Sequence, residues 1–289
     1  MWRRSARGFP RSASADREQT LTGELEPGGG GPAAPSPDRR PILALKGISK
    51  SFGAVEALTD VDFEVYPAEV VALVGDNGAG KSTLIKCISG VHLADRGTMF
   101  VEGQEVKIRT PSDATRFGIE TVYQDLALCD NLDVVANMFL GRERAAPAGI
   151  GPLQELEMEK QALEVLDGLQ VTTIQSVRQW VASLSGGQRQ SVAISKAVMW
   201  SAKLLILDEP TAALGVAQTA QVHALIKRLR EQGLGVVVIT HNIREVFELA
   251  DRIVVLRLGR RVAMFRHDET TPEHVVGAIM GTQQQEEAA

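Results

Sequence analysis

From Ile42 onward the chain is punctuated by short apolar runs: ILAL, VVALVG, ETVY, LLILD, VVVIT and IVVL. Several are apolar at every position rather than alternating, the pattern of strands covered on both faces. Between them lie stretches with helical spacing. One is STLIKCISG, which ends at Gly90; another, residues 217–231, carries Val222, Leu225, Ile226 and Leu229. Strands alternating with helices predict an α/β fold with a largely parallel core sheet. The segment ILALKGISKSFGAVEALTDVDFEVYPAEV has short alternating runs and turn residues but no helix, and predicts a small antiparallel β subdomain added to that sheet. Residues of about 126–183 predict an inserted helical subdomain, in which LQELEMEKQALEVLDGLQ places Leu156, Leu163 and Leu166 on one face. Thr271 before Pro272 reads as a helix N-cap followed by proline at the first helical position.

Residues 1–41 are rich in Arg, Ser, Pro and Gly and predict a disordered extension, because they offer little apolar area to offset the entropy of ordering. The body is expected over 42–281, with a flexible tail at 282–289. No apolar run approaches the roughly 20 residues that cross a bilayer, and the basic start lacks the apolar stretch of a secretory signal. Cys87 and Cys129 are expected as reduced core thiols. These features predict a cytoplasmic chain. The net charge is −5, and residues 1–41 hold seven Arg against five Asp and Glu, so the remainder carries −7. A body that acidic lacks the electrostatic footprint of a nucleic-acid binder.

The chemistry concentrates in three places. Gly75-Asp76-Asn77-Gly78-Ala79-Gly80-Lys81-Ser82-Thr83 follows the apolar strand VVALV and opens a helical stretch. That context makes G-x-x-x-x-G-K-[ST] a phosphate-binding P-loop: glycines let backbone N–H groups turn inward, and the helix N-terminus adds partial positive charge. Lys81 can reach the β and γ phosphates and the Ser82 hydroxyl can ligate Mg²⁺. LLILDEP ends an apolar strand in two acids. Alone it could be a solvated strand end; beside a P-loop, Asp208 is suited to hold Mg²⁺ through water and Glu209 to polarise an attacking water. Leu184-Ser185-Gly186-Gly187-Gln188 precedes a helix, and read alone is a turn and cap.

Together, in this order and spacing, the P-loop, LSGGQ and LLILDEP resemble the ABC ATPase family, over about Ile42 to Gly281. The resemblance implies a P-loop NTPase core and Mg-dependent hydrolysis of ATP. It also implies that Ser185, Gly186, Gly187 and Gln188 close over nucleotide held by a second cassette's P-loop. Phe52 stands where an aromatic stacks on adenine, though a plain packing aromatic remains open. Gln124 in TVYQD matches a glutamine that approaches Mg²⁺ and water and responds to a membrane partner, and His241 after VVVIT matches a histidine facing the γ-phosphate. His92, His223, His267 and His274 match no family position. After DEPT the sequence reads Ala212-Ala213-Leu214-Gly215, without the family's usual aspartate at the last place. GDNGAGKSTLIKCISGV and DEPTAALGV are similar to cassettes of ribose- and fructose-type monosaccharide importers. The partners implied are a second cassette, integral membrane permease subunits on the cytoplasmic face of the membrane and, indirectly, a sugar-binding protein. An importer for amino acids or lipids, or a soluble ABC ATPase without a transport role, are the competing readings.

Overall fold

The structure is a computed structural model that describes residues 40–145 and 152–282. The expected extension at 1–41 and tail at 282–289 thus lie almost wholly outside the described residues. The chain enters through β1 (Leu43–Phe52) and β2 (Val55–Val65), then β3 (Val70–Val74) and α1 (Lys81–Ile88). β4 (Arg96–Val101), β5 (Gln104–Val106), α2 (Pro111–Arg116) and β6 (Ile119–Val122) follow, then α3 (Val134–Phe139), α4 (Glu155–Gly168) and α5 (Gly186–Val198). Next come β7 (Leu204–Asp208), α6 (Val216–Glu231), β8 (Gly235–Ile239), α7 (Ile243–Leu249), β9 (Arg252–Arg257), β10 (Arg260–Arg266) and α8 (Pro272–Met280).

The all-apolar runs form the core of a six-stranded sheet in the order β10-β9-β3-β8-β7-β6. β9, β3, β8, β7 and β6 pair in parallel, and β10 closes one edge antiparallel. Every residue of β3 and β8 is buried, because both faces are covered. Alternate residues serve alternate faces. Leu73, Leu204, Ile206 and Ile239 pack with Leu84, Ile85 and Ile88 of α1. Leu205, Leu207, Val236 and Val238 pack with Ala193 and Ile194 of α5 and with Val222, Leu225, Ile226 and Leu229 of α6. Burial of each such Leu or Ile side chain contributes about 1.5–3 kcal/mol.

Three sequence expectations change. The early segment forms the expected antiparallel β subdomain, but as a separate sheet β2-β1-β4-β5 rather than an addition to the core sheet: β1 takes β2 on one side and β4 on the other, both antiparallel. Its Leu43, Leu45 and Phe63 lie in the same apolar cluster as α1, β3 and β7, so the two sheets share a core although, among the described residues, no strand of one pairs with a strand of the other. In α4 the inner face is Met158, Ala162 and Leu166, an i, i+4, i+8 ladder against Val134, Val135, Met138 and Phe139 of α3. Leu156 and Leu163 fall off that ladder and are 84% and 49% exposed. Finally, Cys87 is a buried thiol that burial pushes up to about 11, whereas Cys129 is only half-buried. Thr271 does cap α8, accepting from the His274 N–H, with Pro272 in the first turn. Among the described residues no helix is long and apolar enough to cross a membrane.

The loop leading from β6 into α3 is anchored by one side chain. Asn137 is fully buried; its Oδ1 accepts from Cys129 N (2.7 Å), and its Nδ2 donates to the carbonyls of Cys129 (2.9 Å), Leu132 (3.3 Å) and Asp133 (2.9 Å). Asn137→Ala strands these groups without water. It should cost about 2–3 kcal/mol, read as a melting temperature lower by roughly 5–10 °C; an unchanged melting curve would show that the loop finds other partners.

Candidate nucleotide site

Four neighbouring strands of the core sheet, β3, β8, β7 and β6, run parallel and end at the same edge. The edge where parallel strands deliver their carboxyl ends is where α/β sheets bind ligands. From β3 comes the loop Gly75–Gly80, from β8 His241, from β7 Asp208 and Glu209, and from β6, two residues on, Gln124. Residues separated by up to 166 positions thus reach one edge through hydrogen-bonded neighbours.

The P-loop conformation depends on its glycines. Gly75 has φ +152°, and a Cβ there would lie 2.2 Å from the Leu256 carbonyl oxygen of β9. Gly80 has φ +102° and is wedged between the Ala57 carbonyl and the Leu58 side chain. Gly78, at φ +79°, has open space around it. Ala79 is buried, its N–H donating to the Asp76 carbonyl (3.1 Å) and its own carbonyl accepting from Gly259 N (3.1 Å). Asp76, Asn77 and Ser82 are exposed and Thr83 is half-buried; Asp76 Oδ1 accepts from Asn77 N at 2.7 Å. Lys81 opens α1 and turns back over the loop, donating through Nζ to the Gly75 carbonyl (2.8 Å) and the Asp76 carbonyl (3.0 Å). Burial lowers the Lys81 pKa, opposed by the charges of Glu209, Asp76 and Asp208.

Opposite the loop, burial and then the neighbouring Glu209 raise the Asp208 carboxyl above its ordinary value, against Lys81 and Lys86. A cation placed there relieves that desolvated charge. Glu209 Oε1 lies 3.0 Å from His241 Nδ1, and the His241 ring is 75% exposed. The Glu209 backbone is left-handed, at φ +49°. That conformation costs an L-residue about 1–2 kcal/mol and persists only when the surroundings fix it. Here the Glu209 N–H donates to the Ile239 carbonyl (2.9 Å) and its carbonyl accepts from Ala212 N (3.1 Å). Gln124 is exposed beyond β6. Phe52 is 45% exposed, with the His92 ring 5.1 Å from it edge-on and Lys50 Nζ 5.4 Å from its centroid. An aromatic face left this open suits a flat ligand better than core packing.

Ser185 is the N-cap of α5: its Oγ accepts from Gln188 N (3.4 Å) while Gln188 Oε1 accepts from Ser185 N (2.9 Å), a reciprocal capping box. Gln188 Nε2 also donates to the Thr173 carbonyl at 2.6 Å. A Cβ on Gly187 would meet Gln218 Cβ at 2.9 Å, and one on Gly186 would meet Leu214 Cδ2 at 2.9 Å. At Gly215, by contrast, a Cβ meets nothing within 4 Å, so steric crowding does not explain the missing aspartate.

The sequence profile of the ABC transporter family matches residues 58–212, more than half of the chain and the stretch that holds the P-loop, LSGGQ and the two acids. The chain belongs to the ABC transporter family. The cassette is 46% identical over 250 residues to a fructose import ATP-binding protein of Rhizobium meliloti, covering 85% of this chain and 96% of that one. It is 47% identical over 234 residues to a xylose/arabinose import ATP-binding protein of Sulfolobus acidocaldarius, covering 81% and 92%. Its fold matches the dimeric post-hydrolysis state of an ATP-binding cassette bound to ADP and Pi, with TM-score 0.64, 27% identity and coverage of 78% and 98%. The cassette is a P-loop ATPase that binds adenine nucleotides.

Glu245 carries no motif and His223 matches no family position, yet the structure sets both beside the site. Both are buried, 2% and 4% exposed, and lie just behind the site. Glu245 stands four residues after His241 in the first turn of α7, where a carboxylate is ordinary helix chemistry. His223 is a lone histidine in α6. Neither had a local signal.

Proposed function

We propose that the cassette hydrolyses ATP as one half of a sandwich dimer and so drives monosaccharide import through membrane permease subunits. The observation that carries this reading is the convergence of the P-loop, Asp208 and Glu209, His241 and Gln124 on one sheet edge, with Glu209 and His241 in hydrogen-bond contact at 3.0 Å. Phe52 stacks on adenine, while the amides of Asp76–Thr83 and the Lys81 ammonium hold the phosphates. Ser82, Gln124 and Asp208 are the residues that would hold Mg²⁺. Among the described residues no three His, Cys, Asp or Glu are grouped to cage a metal, and this oxygen donor set with one carboxylate fits Mg²⁺, which takes its other ligands from phosphate and water. When bound, the ion neutralises charge shared between the β and γ phosphates.

Glu209 accepts a hydrogen bond from water and orients it at the γ-phosphorus. The water oxygen bonds to that phosphorus and gives up a proton to Glu209 as the bond from phosphorus to the bridging β-oxygen breaks, leaving ADP and phosphate. With Nδ1 engaged by Glu209, His241 has Nε2 left to face the γ-phosphate. Ser185, Gly186, Gly187 and Gln188 complete the site of the partner cassette. A groove beside Gln124, lined by Glu120, Tyr123, Met138, Leu140, Lys196 and Trp200, suits a permease segment on the cytoplasmic face of the membrane.

The import reading rests on relatives named for fructose and for xylose/arabinose uptake. Its test is reconstitution of the cassette with its permease in liposomes. ATP hydrolysis should rise several-fold on adding the binding protein loaded with a monosaccharide. Stimulation by an amino acid instead, with none by any sugar, overturns the sugar assignment.

A further inference from the structure

Behind the Glu209–His241 pair lies a buried ionic cluster that hydrolysis, as described, does not use. Glu245 Oε1 accepts from the Thr211 hydroxyl at 2.8 Å and Oε2 from the Thr240 hydroxyl at 2.5 Å. Thr211 is two residues after Glu209; Thr240 immediately precedes His241. One carboxylate therefore clips together the segments that leave β7 and β8. The clip continues outward on both sides. Thr240 Oγ1 accepts from Asn242 N (3.1 Å), and the Thr211 carbonyl accepts from Leu214 N (3.1 Å), which fixes the turn before α6.

The counter-charge comes from α6. His223 is 4% exposed, with Nε2 3.1 Å from Glu245 Oε1 and Nδ1 3.0 Å from Glu248 Oε1. Both ring nitrogens face carboxylates, an arrangement that favours the doubly protonated imidazolium. Burial alone depresses the His223 pKa, but hydrogen bonds to Glu245 and Glu248 raise it above its ordinary value. Burial likewise pushes Glu245 up, and His223, Thr240 and Thr211 together hold it below its ordinary value. The groups facing this cluster are Glu245 and Glu248 of α7 with His223 of α6, and Lys227 of α6 acts on Glu248.

We propose that Glu245, paired with His223, is a positioning residue for hydrolysis: it ties the segment after Glu209 to the segment before His241 and so keeps the carboxylate and imidazole in register. The inference rests on the roles given above to Glu209 and His241. It answers a question the site raises, namely what holds Glu209 at φ +49°. Backbone bonds to Ile239 and Ala212 fix its main chain. The Glu245 clip fixes the direction in which the chain departs. A buried carboxylate with one partner removed is costly, and small misplacement of a reacting group can cost about 10²-fold in rate.

The raised His223 keeps its charge, and its contribution, at low pH and loses both as pH rises through its folded value. The lowered Glu245 contributes above its unfolded value and is lost as pH falls through its folded one. Removing the imidazolium takes away the largest influence that lowers Glu245, so its folded pKa moves up.

The experiment is steady-state Mg-ATP hydrolysis by the full chain from pH 6 to 9, with kcat and KM separated and melting followed in parallel. Glu245→Gln should lower kcat about tenfold and change KM for ATP by no more than about twofold. His223→Gln should lose kcat relative to wild type progressively toward pH 6. The double variant should be no worse than the poorer single, because the two act as one unit. Thr240→Val should share the kcat loss and Thr240→Ser should recover it, an arm that survives if Glu245→Gln does not fold. A His223→Gln to wild-type ratio independent of pH, losses that multiply in the double variant, or Thr240→Val with wild-type kcat would each overturn the proposal. Glu209→Gln serves as the control. If it retains turnover, the roles given to the site fail; if it is inactive while the positioning variants are normal, only this inference fails.

Discussion

Glu209→Gln should bind ATP nearly as tightly as the wild type while its hydrolysis falls about 10²-fold or more, a typical loss for a general base. The amide keeps the length of the carboxylate, and its Oε1 can still accept from His241 Nδ1, now 3.0 Å from Glu209 Oε1. The backbone at this position is left-handed for either side chain, so the strain is unchanged. What disappears is the negative charge that draws a proton from water. Phosphate contacts belong to Lys81 and the loop amides, which the substitution does not touch. Removing a charge beside the half-buried Asp208 should, if anything, favour the closed state, so ATP should trap a dimer on size-exclusion chromatography. Phosphate release at near-normal rate would remove Glu209 from this role.

Mixing two inactive chains should restore activity. Lys81→Ala removes the ammonium that reaches over the P-loop, where it now bonds the carbonyls of Gly75 and Asp76. Ser185→Ala removes the cap of α5, costing about 1 kcal/mol of helix stability and the hydroxyl offered to a partner's nucleotide. Every site in either homodimer is defective. A heterodimer contains one site with both defects and one with neither, so an equimolar mixture should recover up to about a quarter of wild-type turnover, on random pairing and independent sites. Activity of the wild type should also rise faster than linearly with concentration at the dilute end. No recovery on mixing, with strictly linear concentration dependence, would refute the sandwich arrangement.

Much of this site was legible because its chemistry is local. β3 is a wholly apolar run and β7 is apolar up to its last residue, and the groups at their ends, Gly75–Thr83 and Asp208–Glu209, belong to the same few positions of sequence. The Ser185 cap is likewise a three-residue spacing. What sequence alone misplaced is relational. Whether β1 joins the core sheet depends on β4, more than forty residues away, which takes the edge that β1 offers. The inner face of α4 is chosen by α3 rather than by its leucines, so Met158 and Ala162 are inside while Leu156 is out. Glu245 and His223 are 22 residues apart on different helices, and either alone looks like a surface residue. The left-handed backbone of Glu209 is invisible in a residue type that rarely adopts it.

The glycines of the signature segment carry a liability for genetics. Gly187 lies so close to the Gln218 Cβ that an added methyl group would press the start of α5 against the start of α6, whereas at Gly186 the nearest atom is the movable Leu214 Cδ2. An alanine allele at Gly187 should thus disturb its own subunit's start of α6 as well as the surface offered to the other subunit. In a mixed population of subunits such an allele impairs both faces of every dimer it enters, and it should be more dominant than Ser185→Ala, whose defect is confined to one face.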